Sequence, residues 1–183
     1  MDPILAVNAI IEAGLRKGLT LTHLQLQKIL YFAHAMCLVE LRRPLIDAEF
    51  EAWRYGPVCR EVYSELRCFE SRPIEEPVAV LDPVTGVRLS CGSELDDALV
   101  SKIEKCVDFF GRYSAGKLVE LSHARDGPWD TVVKAAECDV NIGMRIDNET
   151  IVQRYRYHWL RANAGDEKEI RDEDTPFAAN GLR

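Results

Sequence analysis

The sequence predicts a mainly α-helical domain of the α+β class, with helices packed around a central apolar helix and a small two- or three-stranded sheet. Apolar residues recur at helical spacing through most of the 183 residues. One predicted helix, between residues 22 and 41, is apolar around most of its circumference, as expected of a helix packed on more than one side. Short stretches of strand character between the helices indicate a minor sheet.

The first two helices have clear start and stop signals. Pro3 suits the first position of a helix, and Gly18 follows its last turn. The second helix opens on a capping box, in which Thr22 and Gln25 can each bond the other's backbone amide. It is expected to end before Pro44, because proline disfavours helical geometry in the residue before it. We predict that this second helix is the central one.

Strand character is concentrated in two places. Alternation over residues 50–55 predicts a short strand near a sheet edge, after which Gly56 supplies a turn and Pro57 begins a helix. Two apolar segments within residues 78–90, separated by proline and glycine, predict a small hairpin.

The second half of the chain is predicted to be helical. Ser93 is the expected N-cap of a long helix, and a shorter helix carrying Leu118 follows it. Pro128 is expected to open another helix, and Asn148 to cap the last one. Residues 137–147 give no clear prediction.

The predicted organisation is one domain at residues 1–163 followed by an acidic tail at residues 164–183. A chain of 183 residues is long enough for one domain with a real core and short for two. In the tail, Asp and Glu outnumber Lys and Arg, and only Ile170 and Phe177 are available as apolar anchors. Such a segment buries too little apolar surface to offset its ordering entropy, so we expect it to be flexible.

Charge and hydropathy narrow the classes of partner. The chain has 23 basic and 30 acidic residues, a formal charge of −7, and no dense stripe of Lys and Arg. Because binding to nucleic acid needs a basic face that releases counterions, no nucleic-acid partner is expected. No apolar run approaches the ~20 residues needed to cross a bilayer, so no membrane insertion is expected either.

No metal site or cofactor is expected. The four histidines lack the paired short Cys and His spacings that are typical of zinc sites. No glycine-rich phosphate-binding motif is present. The six cysteines form no Cys-x-x-Cys pair, and the start of the sequence does not show the charged region, apolar run and small-residue cleavage site typical of a signal peptide. We therefore expect reduced core thiols in a cytoplasmic protein.

Residues 121–129 allow two interpretations. A catalytic triad is conceivable from His123 and Asp126 with Ser122 or Cys59 as the nucleophile, since triads are defined by geometry and not by sequence order. No recognisable nucleophile motif surrounds either candidate. In the alternative, His123 and Asp126 fix a helix junction by side-chain to backbone bonds, while Trp129 packs beneath it.

The stretch from residue 51 to residue 58 contains the candidate partner-binding residues. Aromatic and arginine side chains dominate binding hot spots, because they bury much area and still form hydrogen bonds. The candidates are Trp53, Arg54, Tyr55, Gly56 and Pro57. In the alternative, Trp53 and Tyr55 only pack under the following helix, and Arg54 pairs with a neighbouring carboxylate.

Several blocks of the chain, in this order, resemble a known family. The blocks are Leu26 to His34 (LQKILYFAH), Pro44-Leu45, Glu51 to Val58 (EAWRYGPV), Val62-Tyr63, Leu121 to His123 (LSH) and Gly127 to Trp129 (GPW). Together they resemble the Panacea domain, the SocA- or GepA-like antitoxin family of bacteria and phages, over about residues 5 to 160. The chain departs from the family pattern at Ala35-Met36, where a glycine and an aromatic residue often follow the histidine.

The resemblance implies a non-enzymatic antitoxin that neutralises a cognate protein toxin encoded by an adjacent gene. The resemblance implies one of two modes of action. The antitoxin neutralises the toxin by direct contact, or it delivers the toxin to an ATP-dependent protease such as ClpXP. The matching motif residues expected to be structural are Gln27, Lys28, Tyr31, His34, His123, Pro128 and Trp129. The alternatives are a small hydrolase using His123 with Ser122 or Cys59, and a protease adaptor or scaffold without a toxin partner.

Overall fold

The computed structural model describes residues 1–81, 88–89, 95–136, 144–156 and 158. Its α-helices are α1 (Pro3–Arg16), α2 (His23–Met36), α3 (Arg60–Leu66), α4 (Asp97–Phe110), α5 (Ala115–Ser122), α6 (Pro128–Ala135) and α7 (Asn148–Arg154). Its strands are β1 (Leu21–Thr22), β2 (Phe50–Trp53), β3 (Gly56–Cys59), β4 (Pro73–Ile74), β5 (Val80–Leu81), β6 (Arg88–Leu89) and β7 (Arg145–Ile146). This composition confirms the mainly helical α+β class.

The first two helices begin where the sequence predicts. The carboxylate of Asp2 caps α1 by accepting hydrogen bonds from the amides of Ile4 and Leu5. In α2, the Gln25 amide donates to the Thr22 hydroxyl at 3.4 Å, and the Thr22 amide donates to the Gln25 side chain at 2.9 Å. The capping box is therefore formed.

Helix α2 is the central helix, as predicted. All but one of its residues are buried, and it contacts α1, α3, α4, α5 and β3. Its Phe32 ring stacks on Phe110 of α4 with centroids 4.5 Å apart, and its Tyr31 ring meets Phe50 of β2 edge to face. The helix continues as one π-helical segment, Cys37–Leu41, and ends at Arg42, whose φ of 56° cannot continue it.

The three-stranded sheet has the order β3-β2-β7, with all pairs antiparallel. Phe50 and Ala52 of β2 face the core, as the alternating pattern predicts. The prediction that this strand lies near a sheet edge is wrong, because the two-residue strand β7 pairs along its other side. The prediction that Pro57 begins a helix is also wrong, since Pro57 lies in β3 and α3 begins at Arg60. Proline is tolerated there because β3 is an edge strand.

Two smaller pairs complete the strand content of the described residues: β1 with β4, and β5 with β6. The β5–β6 pair confirms the predicted hairpin, with Val80 opposite Leu89. Its turn, residues 82–87, lies outside the described residues.

Helix starts in the second half differ in detail from the prediction. Helix α6 begins at Pro128, as expected, and Ser114 caps α5. The cap of α4 is Asp96, which accepts from the Leu99 amide at 3.0 Å, whereas the predicted cap Ser93 lies outside the described residues. The cap of α7 is Asp147 instead of Asn148, because β7 ends one residue earlier and a carboxylate there reaches the amide of Thr150.

No helix among the described residues is long and apolar enough to cross a membrane. The predicted domain boundary at residue 163 and the predicted tail, residues 164–183, lie outside the described residues.

Candidate functional site

The hairpin turn, Arg54–Tyr55, joins β2 to β3. Trp53 and Gly56 pair on either side of it, and Gly56 has a φ of 93°. A residue in this left-handed region after a two-residue turn is a recurrent way to close a β-hairpin, and glycine adopts it without a Cβ penalty. The local sequence therefore sets the shape of the turn.

Two polar side chains of α2 hold β3 in place. The Gln27 side-chain amide donates to the Cys59 carbonyl at 3.1 Å and accepts from the Cys59 amide at 3.0 Å. One residue later, the Lys28 ammonium donates to the Pro57 carbonyl at 2.8 Å. Lys28 is fully buried, and burial lowers its pKa to about 7. These contacts support the structural role expected of both motif residues.

The two helix ends that flank the α5–α6 junction, residues 123–127, lie against the hairpin turn. A Cβ on Gly56 would lie 2.3 Å from the Ser122 hydroxyl oxygen, so the backbones approach too closely for a side chain. The Trp129 indole N–H donates to the Trp53 carbonyl at 2.8 Å. These two contacts, one before and one after the turn, fix the hairpin to the junction.

The predicted contact residues divide into two groups. Gly56 and Pro57 are buried. Arg54 is exposed, while Trp53 and Tyr55 are half-buried. Among the described residues no carboxylate pairs with Arg54, so the pairing suggested as the alternative is absent there; its guanidinium lies 5.5 Å from the Tyr55 ring centroid.

Half-buried aromatic rings continue the surface around the turn. Trp53 packs on Tyr63 of α3 with ring centroids 4.7 Å apart, and its indole N–H donates to Glu51 at 2.7 Å. The His123 ring stacks on Trp129 with centroids 3.9 Å apart. The Trp53 ring is therefore held by a hydrogen bond at its edge and by Tyr63 against its face, while part of the ring stays accessible to solvent.

The other motif residues of α2 fasten the C-terminal helix. The Tyr31 hydroxyl and His158 Nε2 are 3.1 Å apart, and His34 Nε2 lies 2.9 Å from the Asn148 side-chain oxygen. The amide of Ile46 donates to the other ring nitrogen of His34 at 3.4 Å. Burial lowers the pKa of both imidazoles, that of His158 to about 4.

The candidate nucleophiles occupy structural positions. The buried Ser122 hydroxyl donates to the Val119 carbonyl at 2.8 Å. Burial, together with the neighbouring Glu61 carboxylate, raises the pKa of the Cys59 thiol to about 12. A nucleophilic thiol needs a lowered pKa and an activated serine needs a base that accepts its proton, so neither group is prepared for attack.

The junction is held differently from the prediction. Asp126 has a φ of 61°, and its backbone amide donates to the carboxylate of Asp130 at 2.7 Å. Its own carboxylate lies 3.3 Å from the Lys134 ammonium, so the prediction of side-chain to backbone bonds from Asp126 is wrong. Asp130 was not identified from the sequence as the residue that accepts this bond. An acidic residue in the first turn of a helix that begins at Pro128 is the signal for it.

The described residues contain no group of three or more His, Cys, Asp or Glu side chains arranged to hold a metal ion. The four described cysteines are free thiols. Cys37, Cys59 and Cys106 are buried and Cys68 is exposed.

Fold and site together define a helical domain whose hairpin is fixed against α2 and the α5–α6 junction. Residues 26–130, more than half of the chain, match the family described as antitoxin SocA-like, Panacea domain. The antitoxin SocA of Caulobacter vibrioides (strain NA1000 / CB15N) is 33% identical over 160 residues, which cover 86% of this chain and 84% of that protein. The chain therefore belongs to the SocA-like Panacea family of antitoxins. No solved structure matches it.

Proposed function

We propose that this chain is an antitoxin that binds and neutralises a cognate protein toxin encoded by an adjacent gene. Its membership of an antitoxin family supports the role. The observation that supports this mode of action is the exposed turn at Arg54, which is held by a hydrogen bond on each side.

The turn suits binding because it is organised in advance. Gln27, Lys28 and Trp129 fix the backbone on either side of it. A surface that is already rigid loses little conformational entropy on association. The proposed contacts are Trp53, Arg54 and Tyr55. They inhibit the toxin by covering part of its surface.

The proposed action is binding and not catalysis. The buried Ser122 hydroxyl donates to a backbone carbonyl, and the Cys59 thiol has a raised pKa. These two observations speak against the hydrolase alternative that pairs either nucleophile with His123.

Delivery of the toxin to an ATP-dependent protease such as ClpXP is the second proposed route. It requires a contact with the protease in addition to the toxin contact, and the acidic segment 164–183 is the proposed element. The proposal assigns both encounters to the cytoplasm, where such proteases act, and the chain's formal charge of −7 argues against nucleic acid as a partner.

Two measurements test the proposal. The first is co-purification of this chain with the adjacent gene product, and the second is the half-life of that product in cells. We expect a stable complex with this chain. If the chain acts as an adaptor, the toxin's half-life shortens only in cells that contain the protease, and removal of residues 164–183 restores it. Absence of any complex would contradict the proposed function.

A further inference from the structure

The hairpin–junction surface, formed by Trp53, Arg54, Tyr55, Arg125 and Trp129, combines exposed cations with accessible rings. The Arg125 side chain is 87% exposed, and Arg54 is exposed as well. Trp53, Tyr55 and Trp129 are half-buried. Such a surface suits a ligand that carries carboxylates together with an apolar anchor.

The two guanidiniums are weakly paired within the described residues. Arg54 has no carboxylate partner there, and the Arg125 Nε is 3.9 Å from the Asp126 carboxylate. That carboxylate also lies 3.3 Å from Lys134, which approaches Asp130 to 2.6 Å. Lys134 thus offsets the acidic groups beside Arg125. This surface remains attractive to anions, although the chain as a whole has a formal charge of −7.

The path of the chain brings an acidic segment close to this surface. His158 is the last residue that the structure describes, and its Nδ1 lies 3.2 Å from the Leu121 carbonyl oxygen. The next residue after Leu121 is Ser122, which packs against Gly56 at the end of the hairpin turn. The chain therefore leaves the described fold beside the hairpin.

Residues 166–174 have the charge and reach to meet the two arginines. The run begins eight residues after His158 and contains six acidic and two basic residues. Eight residues of extended chain span at most about 28 Å, enough to cross the adjoining surface. Ile170 and Phe177 are apolar residues within and just after the run.

We propose that residues 166–177 dock in cis on the hairpin–junction surface, with their carboxylates on Arg54 and Arg125 and an apolar side chain against the exposed part of Trp53. Tethering gives such a segment an effective concentration in the millimolar range, so that weak contacts suffice to hold it. The docked segment covers the surface until a partner with stronger contacts displaces it. This contact is independent of whether the partner is a toxin.

Backbone amide NMR of the full chain and of a chain ending at residue 163 tests the proposal. All described elements lie before residue 159, so equal thermal unfolding of the two proteins is the first check. We expect the truncation to shift the amides of residues 53–56 and 123–127. In the full chain, 0.5 M NaCl should move the chemical shifts of these amides towards their values in the truncated chain, because salt screens exposed ion pairs. The double substitution Arg54→Glu with Arg125→Glu should do the same.

Arg42→Glu is the matched control. Arg42 is also an exposed arginine, but it lies beyond the far end of α2, roughly 20 Å from Lys28 by helical rise. This variant should keep the wild-type shifts at the hairpin turn. If truncation moves only the amides next to residue 158, or if Arg42→Glu acts like the double substitution, the proposal is overturned. The proposal is also overturned if a protein partner shifts these amides and truncation does not. That result would assign the surface to the partner alone.

Discussion

The side-chain amide of Gln27 forms two hydrogen bonds with the backbone of Cys59, one to its carbonyl at 3.1 Å and one from its amide at 3.0 Å. Strand β3 is an edge strand, and the Gln27 side chain satisfies the backbone groups of Cys59 as a further strand would. The pair ties the Leu26 to His34 block to the residue that follows the Glu51 to Val58 block, and the Lys28 bond to the Pro57 carbonyl joins the two blocks directly.

Replacing Gln27 with alanine should lower the free energy of unfolding by roughly 2–4 kcal/mol, because two buried backbone groups lose their partners and a cavity is left. Urea unfolding measures this change. Gln153→Ala is the control, since that exposed side chain only bonds Glu149 one helical turn away, at 3.0 Å. The control should lose less than about 0.5 kcal/mol. Equal losses in the two variants would show that the Cys59 contact does not support the hairpin.

Gly56→Ala should destabilise the chain more than Gly18→Ala does. Both glycines have positive φ, 93° and 69°, so both variants incur about 1 kcal/mol of backbone strain. Only at Gly56 would the new Cβ meet another atom, the Ser122 hydroxyl oxygen, at 2.3 Å. We expect an additional ~1–3 kcal/mol at Gly56, measured by denaturant unfolding, and a smaller additional loss in a Ser122→Ala background. A Gly56→Ala protein no less stable than Gly18→Ala would refute the close approach.

Stability should fall as the pH drops from about 6.5 towards 4. Burial lowers the pKa of His158 to about 4, and burial with the nearby charge of Lys28 does the same for His23. The unfolded chain takes up these protons below about 6.5 and the folded chain does not, so acid favours unfolding by up to about 1.4 kcal/mol per pH unit for each group.

The variant His158→Gln isolates one of these groups, because the carboxyl groups titrate alike in both proteins. Its unfolding free energy, measured between pH 4.5 and 6.5, should depend less steeply on pH than that of the wild type. Glutamine can still bond the Tyr31 hydroxyl, which lies 3.1 Å from His158 Nε2. Identical slopes would show that His158 is not held neutral in the folded state.

His123→Phe should preserve both the fold and the proposed antitoxin activity. The imidazole stacks on Trp129 at 3.9 Å, and a phenyl ring keeps that contact, whereas His123→Ala should lose about 1 kcal/mol. Thermal unfolding and rescue of growth, scored separately, check this. A folded His123→Phe protein without rescue activity would favour the alternative in which the imidazole acts as a base.

Local signals in the sequence were sufficient for three helix starts, those of α1, α2 and α6. Pro3, the Thr22 capping box and Pro128 each act within one helical turn, so the neighbouring residues alone decide the outcome. The signal at Pro57 failed because its position in β3 depends on Lys28 and Gln27, about 30 positions earlier in the chain. Strand β7 was missed because two residues give no periodic pattern.

The candidate site was only partly predictable for the same reason. Trp53, Arg54 and Tyr55 were identified by residue type, and the family blocks located the stretch. No sequence pattern indicated that Trp129 bonds the Trp53 carbonyl or that Gly56 meets Ser122, since both contacts depend on the tertiary fold.

The central proposal is that this chain neutralises the product of an adjacent gene by binding it. Growth of cells that express that product alone, or together with this chain, tests the claim most directly. We predict arrest with the product alone and restored growth with this chain or with Arg42→Ala. Arg54→Ala should fold normally and rescue less well, because Arg54 is exposed and has no carboxylate partner among the described residues. No arrest by the product alone, or no rescue by the wild-type chain, would contradict the account.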